Sequence, residues 1–373
     1  MDFTFSDDQI AFRDAVSRFL MTEAAPETLR EIWETDAGRS PELRRKIAEQ
    51  GLTGLSVPEA EGGLGLGDID WALMTQELGY YAIPDSLADT AYMAAGMLAG
   101  LPEGHPLRAQ WLPRIVDGSC RIAVGHPVNP WVADANLADL LLLPEATPQG
   151  LALHAAPADA VQLTPHRSID ASRRLATVSW TPMPGTQALD GAAGQRLWDE
   201  ALARGALCAA GQLIGLAQRM LDVSVDYAAQ RKQFGKPIGS FQAVKHHLAD
   251  VVTKIEFARP VLYRAVVALS RGEAGVAARV AHAKLACGDA AWTAARKGIQ
   301  VHGAMGYTWE VDLQMFMKRA WVLDAAWGDR GFHQARLAQA VLASGVMPDG
   351  SPEGAPLVYG LEIGPGTTFH FPH

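Results

Sequence analysis

Cysteine is scarce in this chain. Cys120, Cys208 and Cys287 lie far apart and form no CxxC pair. That excludes a disulfide framework and a thiolate zinc site. Positive charge is not in excess either: 32 Lys and Arg stand against 41 Asp and Glu, a net charge of −9. General nucleic-acid binding is therefore not expected. Long apolar runs are missing. The longest, Leu140-Leu141-Leu142-Leu143, stops at Pro144 and reads as a buried strand, so no membrane span is expected. Met1-Asp2-Phe3-Thr4 starts acidic and soon turns amphipathic, unlike a secretory leader. What is present is ample core: 373 residues, 49% hydrophobic and 20% charged. The expectation is a soluble, cytoplasmic, multidomain protein, and at this size an enzyme.

Three regions differ in pattern. Residues 1–118 read as helical. Ser6 can cap a first helix with Asp7 and Asp8 in its acidic first turn, and Pro41 suits another start. Residues 57–65, with three glycines, read as a loop, and a helix follows from Asp68 to Leu78. In residues 119–190 helical periodicity fades. Short apolar runs at 122–124, 140–143, 151–153 and 176–178 suggest a small β domain. Residues 191–345 regain helical spacing. Leu202, Ala206, Ala209, Leu213, Leu216 and Met220 form one seam; Val244, Leu248, Val251, Ile255, Ala258 and Leu262 form another. Two further segments, 276–301 and 311–343, predict a four-helix bundle, with Pro260 placed to kink its second helix. Residues 346–373 are a Gly- and Pro-rich tail without a core of its own.

Two loops carry candidate chemistry. The first, Arg231-Lys232-Gln233-Phe234-Gly235-Lys236-Pro237-Ile238-Gly239-Ser240-Phe241-Gln242, joins the first two bundle helices. Ser240 is a suitable N-cap for the second. A helix start flanked by Arg231, Lys232 and Lys236 suits an anion such as a diphosphate. Phe234 and Phe241 could flank a planar ring. The same residues also describe a well-capped loop with solvated lysines. The second loop, Gln300 to Glu310, offers Gln300 and His302, with Gly303 as a left-handed helix stop.

Residues 231–238 with Phe241-Gln242 resemble the flavin-binding signature of the acyl-CoA dehydrogenases. Residues 300–307 resemble that family's second signature, Q-x-x-G-G-x-G-[FY], with Ala304 replacing a glycine. Phe5-Ser6, residues 54–59, Gly62-Gly63-Leu64-Gly65, Glu77-Leu78-Gly79 and Pro84 agree with its amino-terminal half. The resemblance runs to about residue 343. It implies a mainly α fold with a small β domain: helical N-terminal domain, middle β domain and C-terminal four-helix bundle. It further implies FAD, an acyl-CoA thioester substrate, dimers or tetramers, and an electron-transferring flavoprotein as acceptor. Carried over residue by residue, Arg231 and Gln233 would contact the FAD diphosphate. Phe234, Phe241 and Gln242 would lie near the adenosine, and Gln300, His302 and Gly303 near the diphosphate. These contacts would reach flavin held mainly by a neighbouring subunit.

The resemblance fails where the chemistry should be. α,β-Desaturation needs a carboxylate to take the proton next to the thioester carbonyl. The family's usual glutamate position falls on Trp327, and its minority position on Gly205. The T-E-P-x-x-G-S-D-like run is replaced by residues 124–130, and no W-I-T-N equivalent is found. The resulting expectation is one subunit of a heteromeric acyl-CoA dehydrogenase, as in the breakdown of steroid or other bulky acyl-CoA chains. A paralogous partner would supply the glutamate and the flavin-ring contacts. Two alternatives stand: a self-sufficient homo-oligomer with an unrecognised base, and a non-enzymatic scaffold or binding protein. Asp329 is a candidate displaced base. Glu310 and Asp312 are expected to pair with Lys318 or Arg319, or to cap the last helix. Arg167, Asp170, Arg173 and Arg174 suggest either an interdomain salt-bridge network or a phosphate or partner contact. His246-His247 are adjacent, point apart, and make no metal pair; no metal site is expected. The glycines at 62–67 lack the βαβ context of a dinucleotide fingerprint.

Overall fold

The computed structural model describes residues 4–342. The tail at 346–373 and the last residues of the expected bundle lie outside the described residues.

The N-terminal region comprises α1 (Asp7–Glu23), α2 (Pro26–Glu34), α3 (Pro41–Glu49), α4 (Asp68–Tyr80), α5 (Ala95–Ala99) and α6 (Pro106–Val116). Ser6 caps α1 as expected. Its Oγ accepts from the Gln9 N–H at 3.2 Å, and the Gln9 side chain accepts from the Ser6 N–H at 3.1 Å. Pro41 starts α3 behind a Ser40 cap. A π-helical turn, Asp89–Ala94, leads into α5.

Seven strands follow: β1 (Ile122–Val124), β2 (Val132–Ala133), β3 (Leu140–Thr147), β4 (Gly150–Pro157), β5 (Gln162–His166), β6 (Leu175–Ser179) and β7 (Gln187–Leu189). They form a four-stranded sheet, β1-β3-β4-β7, and a three-stranded sheet, β2-β6-β5. All four apolar runs read from the sequence lie in these strands. Leu140 to Leu143 are buried on both faces, which is why that run does not alternate.

The C-terminal region opens with α7 (Gly191–Gln230), a helix of 40 residues. A small hairpin, β8 (Lys232–Gln233) and β9 (Lys236–Pro237), joins it to α8 (Gln242–Ser270). Then come α9 (Val276–His302), α10 (Leu313–Ala325) and α11 (Arg330–Leu342). The seams pack as expected: Leu213, Leu216, Met220, Ile255 and Leu262 are fully buried. α4 crosses α7 so closely that a Cβ at Gly215 would lie 1.9 Å from the Gln76 carbonyl oxygen. Only glycine permits that approach.

Two expectations fail here. The fourth bundle helix is two helices, broken at residues 326–329, where Trp327 has φ +56 and Gly328 has φ +93. A residue in the left-handed region cannot continue a right-handed helix. Ser240 does not cap α8. Its Oγ donates to the Pro237 carbonyl at 2.7 Å, and the cap position falls on Phe241, with no side-chain bond. The backbone after the hairpin turns once more before the helix starts, which moves the start one residue on. Pro260 lies inside α8, which continues through it to Ser270.

Candidate functional site

The hairpin after α7 is held by its backbone. The Arg231 N–H donates to the Tyr227 carbonyl and the Ile238 N–H to the Arg231 carbonyl, both at 2.8 Å. Its two turn residues, Phe234 and Gly235, have φ +52 and +78, the type I′ pattern. A phenylalanine there is strained, and strain of that kind collects at ligand clamps. Phe234 is 92% exposed, with its ring edge-on to Phe241 at 6.1 Å. The Lys236 ammonium sits over the Phe241 ring at 4.5 Å. Arg231, Gln233 and Gln242 are exposed.

The second loop hangs from the same end of the bundle. His302 stacks on Tyr227 with centroids 4.3 Å apart. Its Nδ1 bonds the Gly298 carbonyl at 2.8 Å, and its Nε2 is buried without a partner. Burial lowers the His302 pKa, so the ring is neutral near pH 7. Gln300 and Gly303 are exposed. Gly303 ends α9 at φ +61 and ψ −139, a conformation open to glycine but not the left-handed helical cap expected. The two loops thus share one stacked pair and present unengaged donors on one surface. Exposed cationic and amide donors, one bare phenylalanine ring and a buried orphan imidazole nitrogen fit the diphosphate and adenine of a dinucleotide.

The two positions where a base was sought meet in space. A Cβ on Gly205 would lie 2.1 Å from the Trp327 indole. The indole therefore occupies the room that any side chain at 205 would need. Trp327 is buried, and its backbone is fixed from several sides. Its N–H donates to Asn129 Oδ1 at 2.7 Å. His333 Nε2 bonds its carbonyl at 2.9 Å. Lys284, itself buried, donates to the Asp324 carbonyl at 2.6 Å just before the break. Burial pushes the Lys284 pKa down to about 8 and that of His333 to about 4.

Gly205 and Trp327 line a cavity of about 50 Å³, room for a few waters but not for an acyl chain. Arg39, Asp85, Asp89, Arg173 and Arg319 also line it. Arg39 grips Asp134 through two bonds of 2.5 and 2.8 Å. Arg44 and Arg121 both reach Asp85, at 2.9 and 3.3 Å. Arg319 bonds Ser172 Oγ at 2.8 Å, the Ile83 carbonyl at 2.7 Å and Asp170 at 3.4 Å. Asp89 has no ion-pair partner within reach among the described residues, and burial pushes its pKa up to about 6. Neither the Asp89 carboxyl nor the contact between residues 205 and 327 was foreseen. The π-helical turn that carries Asp89 has no sequence signature.

Other candidates settle differently from expectation. Asp312 pairs with Arg30 at 2.5 Å, tying α2 to the start of α10, and makes no side-chain cap. Arg319 is committed to Asp170, and Lys318 bonds Gln314 at 2.6 Å. The interdomain network exists through Asp170 and Arg174, the latter bonding the Thr35 and Asp36 carbonyls at 2.7 and 3.1 Å. Arg167 and Arg173 take no part in it. Asp329 accepts from the Phe332 N–H at 2.8 Å, capping α11, and faces an outer groove rather than the cavity. His247 bonds Lys297 at 2.9 Å, and no cluster able to hold a metal ion occurs among the described residues. No helix among them is long and apolar enough to cross a membrane.

Models for the N-terminal and C-terminal domains of acyl-CoA dehydrogenase match residues 6–119 and 192–342. Acyl-CoA dehydrogenase IpdE2 of Mycolicibacterium smegmatis is 32% identical over 318 residues, 84% of this chain and 93% of the relative. The chain belongs to the acyl-CoA dehydrogenase family. The family is one of oxidoreductases that act on a CH–CH bond with FAD as cofactor. Among solved acyl-CoA dehydrogenase folds this chain superposes on a chain of the ChsE4-ChsE5 complex from Mycobacterium tuberculosis with a TM-score of 0.83 at 22% identity. That match covers 92% of this chain and 100% of the other. A variant of the Tcur3481-Tcur3483 steroid acyl-CoA dehydrogenase gives 0.79 at 23% identity, covering 89% and 97%.

Proposed function

We propose that this chain is the base-lacking subunit of a heteromeric FAD-dependent acyl-CoA dehydrogenase. The observation that carries the reading is the Trp327 indole seated in the side-chain space of Gly205. Both family positions for the base are spent on one packing contact, and the cavity beside them is too small for an acyl chain. A partner chain supplies the glutamate that removes the α-proton, together with the contacts to the flavin ring. FAD, when bound, would supply the acceptor for the β-hydrogen, which leaves the substrate as hydride.

This chain's own residues bind and orient. Arg231, Gln233 and Gln300 would hold the diphosphate by hydrogen bonds, Phe234 and Phe241 would flank the adenine, and Gln242, His302 and Gly303 would complete the surface. Both loops lie at one end of the bundle and face outward, as a contribution to a neighbour's cofactor requires. The solved ChsE4-ChsE5 complex and the Tcur3481-Tcur3483 steroid acyl-CoA dehydrogenase support a paired assembly and a bulky acyl-CoA. An electron-transferring flavoprotein would be the electron acceptor, and the assembly would work in the cytoplasm.

The visible spectrum tests this. The chain purified alone, mixed with FAD and desalted, is expected to be colourless. Mixing with a paralogous chain encoded nearby is expected to give retained flavin and turnover. Stoichiometric flavin and acyl-CoA oxidation by this chain alone would overturn the proposal. It would favour the self-sufficient reading, for which Asp89, the unpaired carboxyl on the cavity wall, is the candidate base.

A further inference from the structure

α4 and α7 meet backbone to backbone. A Cβ on Gly79 would lie 2.1 Å from the Gln212 carbonyl oxygen, so glycine is needed there as it is at Gly215. The helix pair forms a wall with two sides. Leu78 and Gln212 line the small cavity beside Trp327, while Glu77 and Gly215 line a second cavity, of about 260 Å³, bounded also by α1 and α8. That volume lies below the range of drug-sized ligands and suits a smaller molecule. The two cavities share no lining residue, and the second includes none from the two loops.

Glu77 is the unmatched charge of this second cavity. It is half-buried and makes no ion pair among the described residues; the Ser17 hydroxyl donates one hydrogen bond to it. Burial raises its pKa by more than Ser17 and the nearby Arg13 lower it. The two arginines that line the cavity are committed elsewhere. Arg13 pairs with Asp14 at 2.6 Å, and Arg259 pairs with Glu256 at 2.5 Å and bonds Gln218 Oε1 at 2.9 Å. Each arginine is thus neutralised by its own carboxylate, and Glu77 leaves one negative charge in excess.

The uncharged donors are spent as well. The Tyr80 hydroxyl donates to Asp222 at 2.9 Å, the Gln218 amide to Asp222 at 2.8 Å and the Gln76 amide to the Ala72 carbonyl at 2.8 Å. What remains are acceptors: the Glu77 carboxylate, and Gln76 Oε1, which the Tyr263 hydroxyl reaches only at 3.4 Å. Tyr263 also contributes its ring, with Phe5 edge-on to it at 5.0 Å. Spare acceptors, an excess negative charge and an aromatic wall call for a cation that donates hydrogen bonds.

We propose that this cavity binds a small primary amine, its ammonium received by Glu77 and Gln76 Oε1 and its short apolar body lying against Leu73, Ile214 and Tyr263. The site is independent of the division of labour proposed above and uses none of the residues given a part in it.

The probe is n-butylamine, titrated calorimetrically into the full-length chain near neutral pH. Saturable binding of one amine per chain is expected. n-Butanol, which lacks the charge, and tetramethylammonium, which lacks the donors, are each expected to bind roughly tenfold more weakly or worse. Glu77→Gln is expected to weaken butylamine by a similar factor and Tyr263→Leu by less, with unchanged thermal melting as the control for folding. In the native chain the affinity should fall as acidification protonates Glu77, because the amine stays charged throughout. That arm needs no variant to fold. Four results would overturn the proposal: no saturable binding, butanol or tetramethylammonium bound as tightly, a Glu77→Gln variant that holds butylamine as well, or an affinity that acidification leaves unchanged. Flavin retention is read separately from the spectrum, so failure here leaves the subunit proposal standing.

Discussion

At the hairpin between α7 and α8, nearly every functional group is unspent. Arg231, Gln233 and Gln242 are exposed, and Phe234 stands almost bare at a strained turn. At the cavity walled by Gly205 and Trp327, nearly every group is spent. Arg39, Asp85, Asp134, Asp170 and Arg319 are buried and paired, and an indole fills the space left by a missing side chain. One region is built to be completed by something else; the other is complete. In this family both regions should serve one reaction, and the proposed division of labour accounts for the contrast between them.

The comparison breaks first at Trp327. Trp327→Ala removes a buried indole whose place nothing else fills. A loss of about 3–5 kcal/mol is expected in a urea melt. A loss below 1 kcal/mol would mean that the indole is not the plug described.

Asp89→Asn sharpens the claim that one cavity carboxyl is uncompensated. Its folded pKa of about 6 lies above the ordinary value near 3.8, so ionising it opposes folding. The penalty is absent below about pH 4, grows through pH 6 and is full at pH 7. The amide variant is expected to be more stable than the native chain at pH 7 by at most about 3 kcal/mol. The advantage should vanish near pH 4. Melting curves across that range check it, and a variant less stable at pH 7 would sink the idea.

A smaller effect tests the contact itself. Gly205→Ala in the native chain is expected to cost about 1–3 kcal/mol through overpacking. In the Trp327→Ala background it should cost almost nothing, a coupling that a double-mutant cycle reads directly. Additive losses would separate the two positions. At the open region, Arg231→Ala should leave stability within about 0.5 kcal/mol. It should weaken flavin retention in the assembled protein roughly tenfold, the worth of one charge-assisted bond. Unchanged flavin content would remove Arg231 from the site.

Local signals were legible in the sequence. The Ser6 capping box, the seams of α7 and α8 and the strand at Leu140 follow from spacing and propensity, and the structure bears them out. What was not legible is long-range pairing. Residues 205 and 327 each stood out as a base position without a base, yet nothing in either stretch says that they touch. Asp312 finding Arg30, rather than a cation on its own helix, is the same kind of event: tertiary proximity outcompetes a local pair. The break at residues 326–329 does carry a signal, Gly328 followed by Asp329, a stop and a new cap, which the periodicity on either side obscured. Only coordinates can show which members of a charged cluster are left over.

The hairpin has a consequence for the life of the chain outside an assembly. A bare phenylalanine flanked by Arg231, Lys232 and Lys236, on a surface turn, is what a trypsin-like protease reads and a chaperone holds. On the proposed pairing, a lone copy would leave these residues open, while a paired copy would cover them against its neighbour's cofactor. Cleavage after Arg231 or Lys232 thus becomes a gauge of the proposed partnership: expected rapid in the lone chain and slow once the missing half is in place.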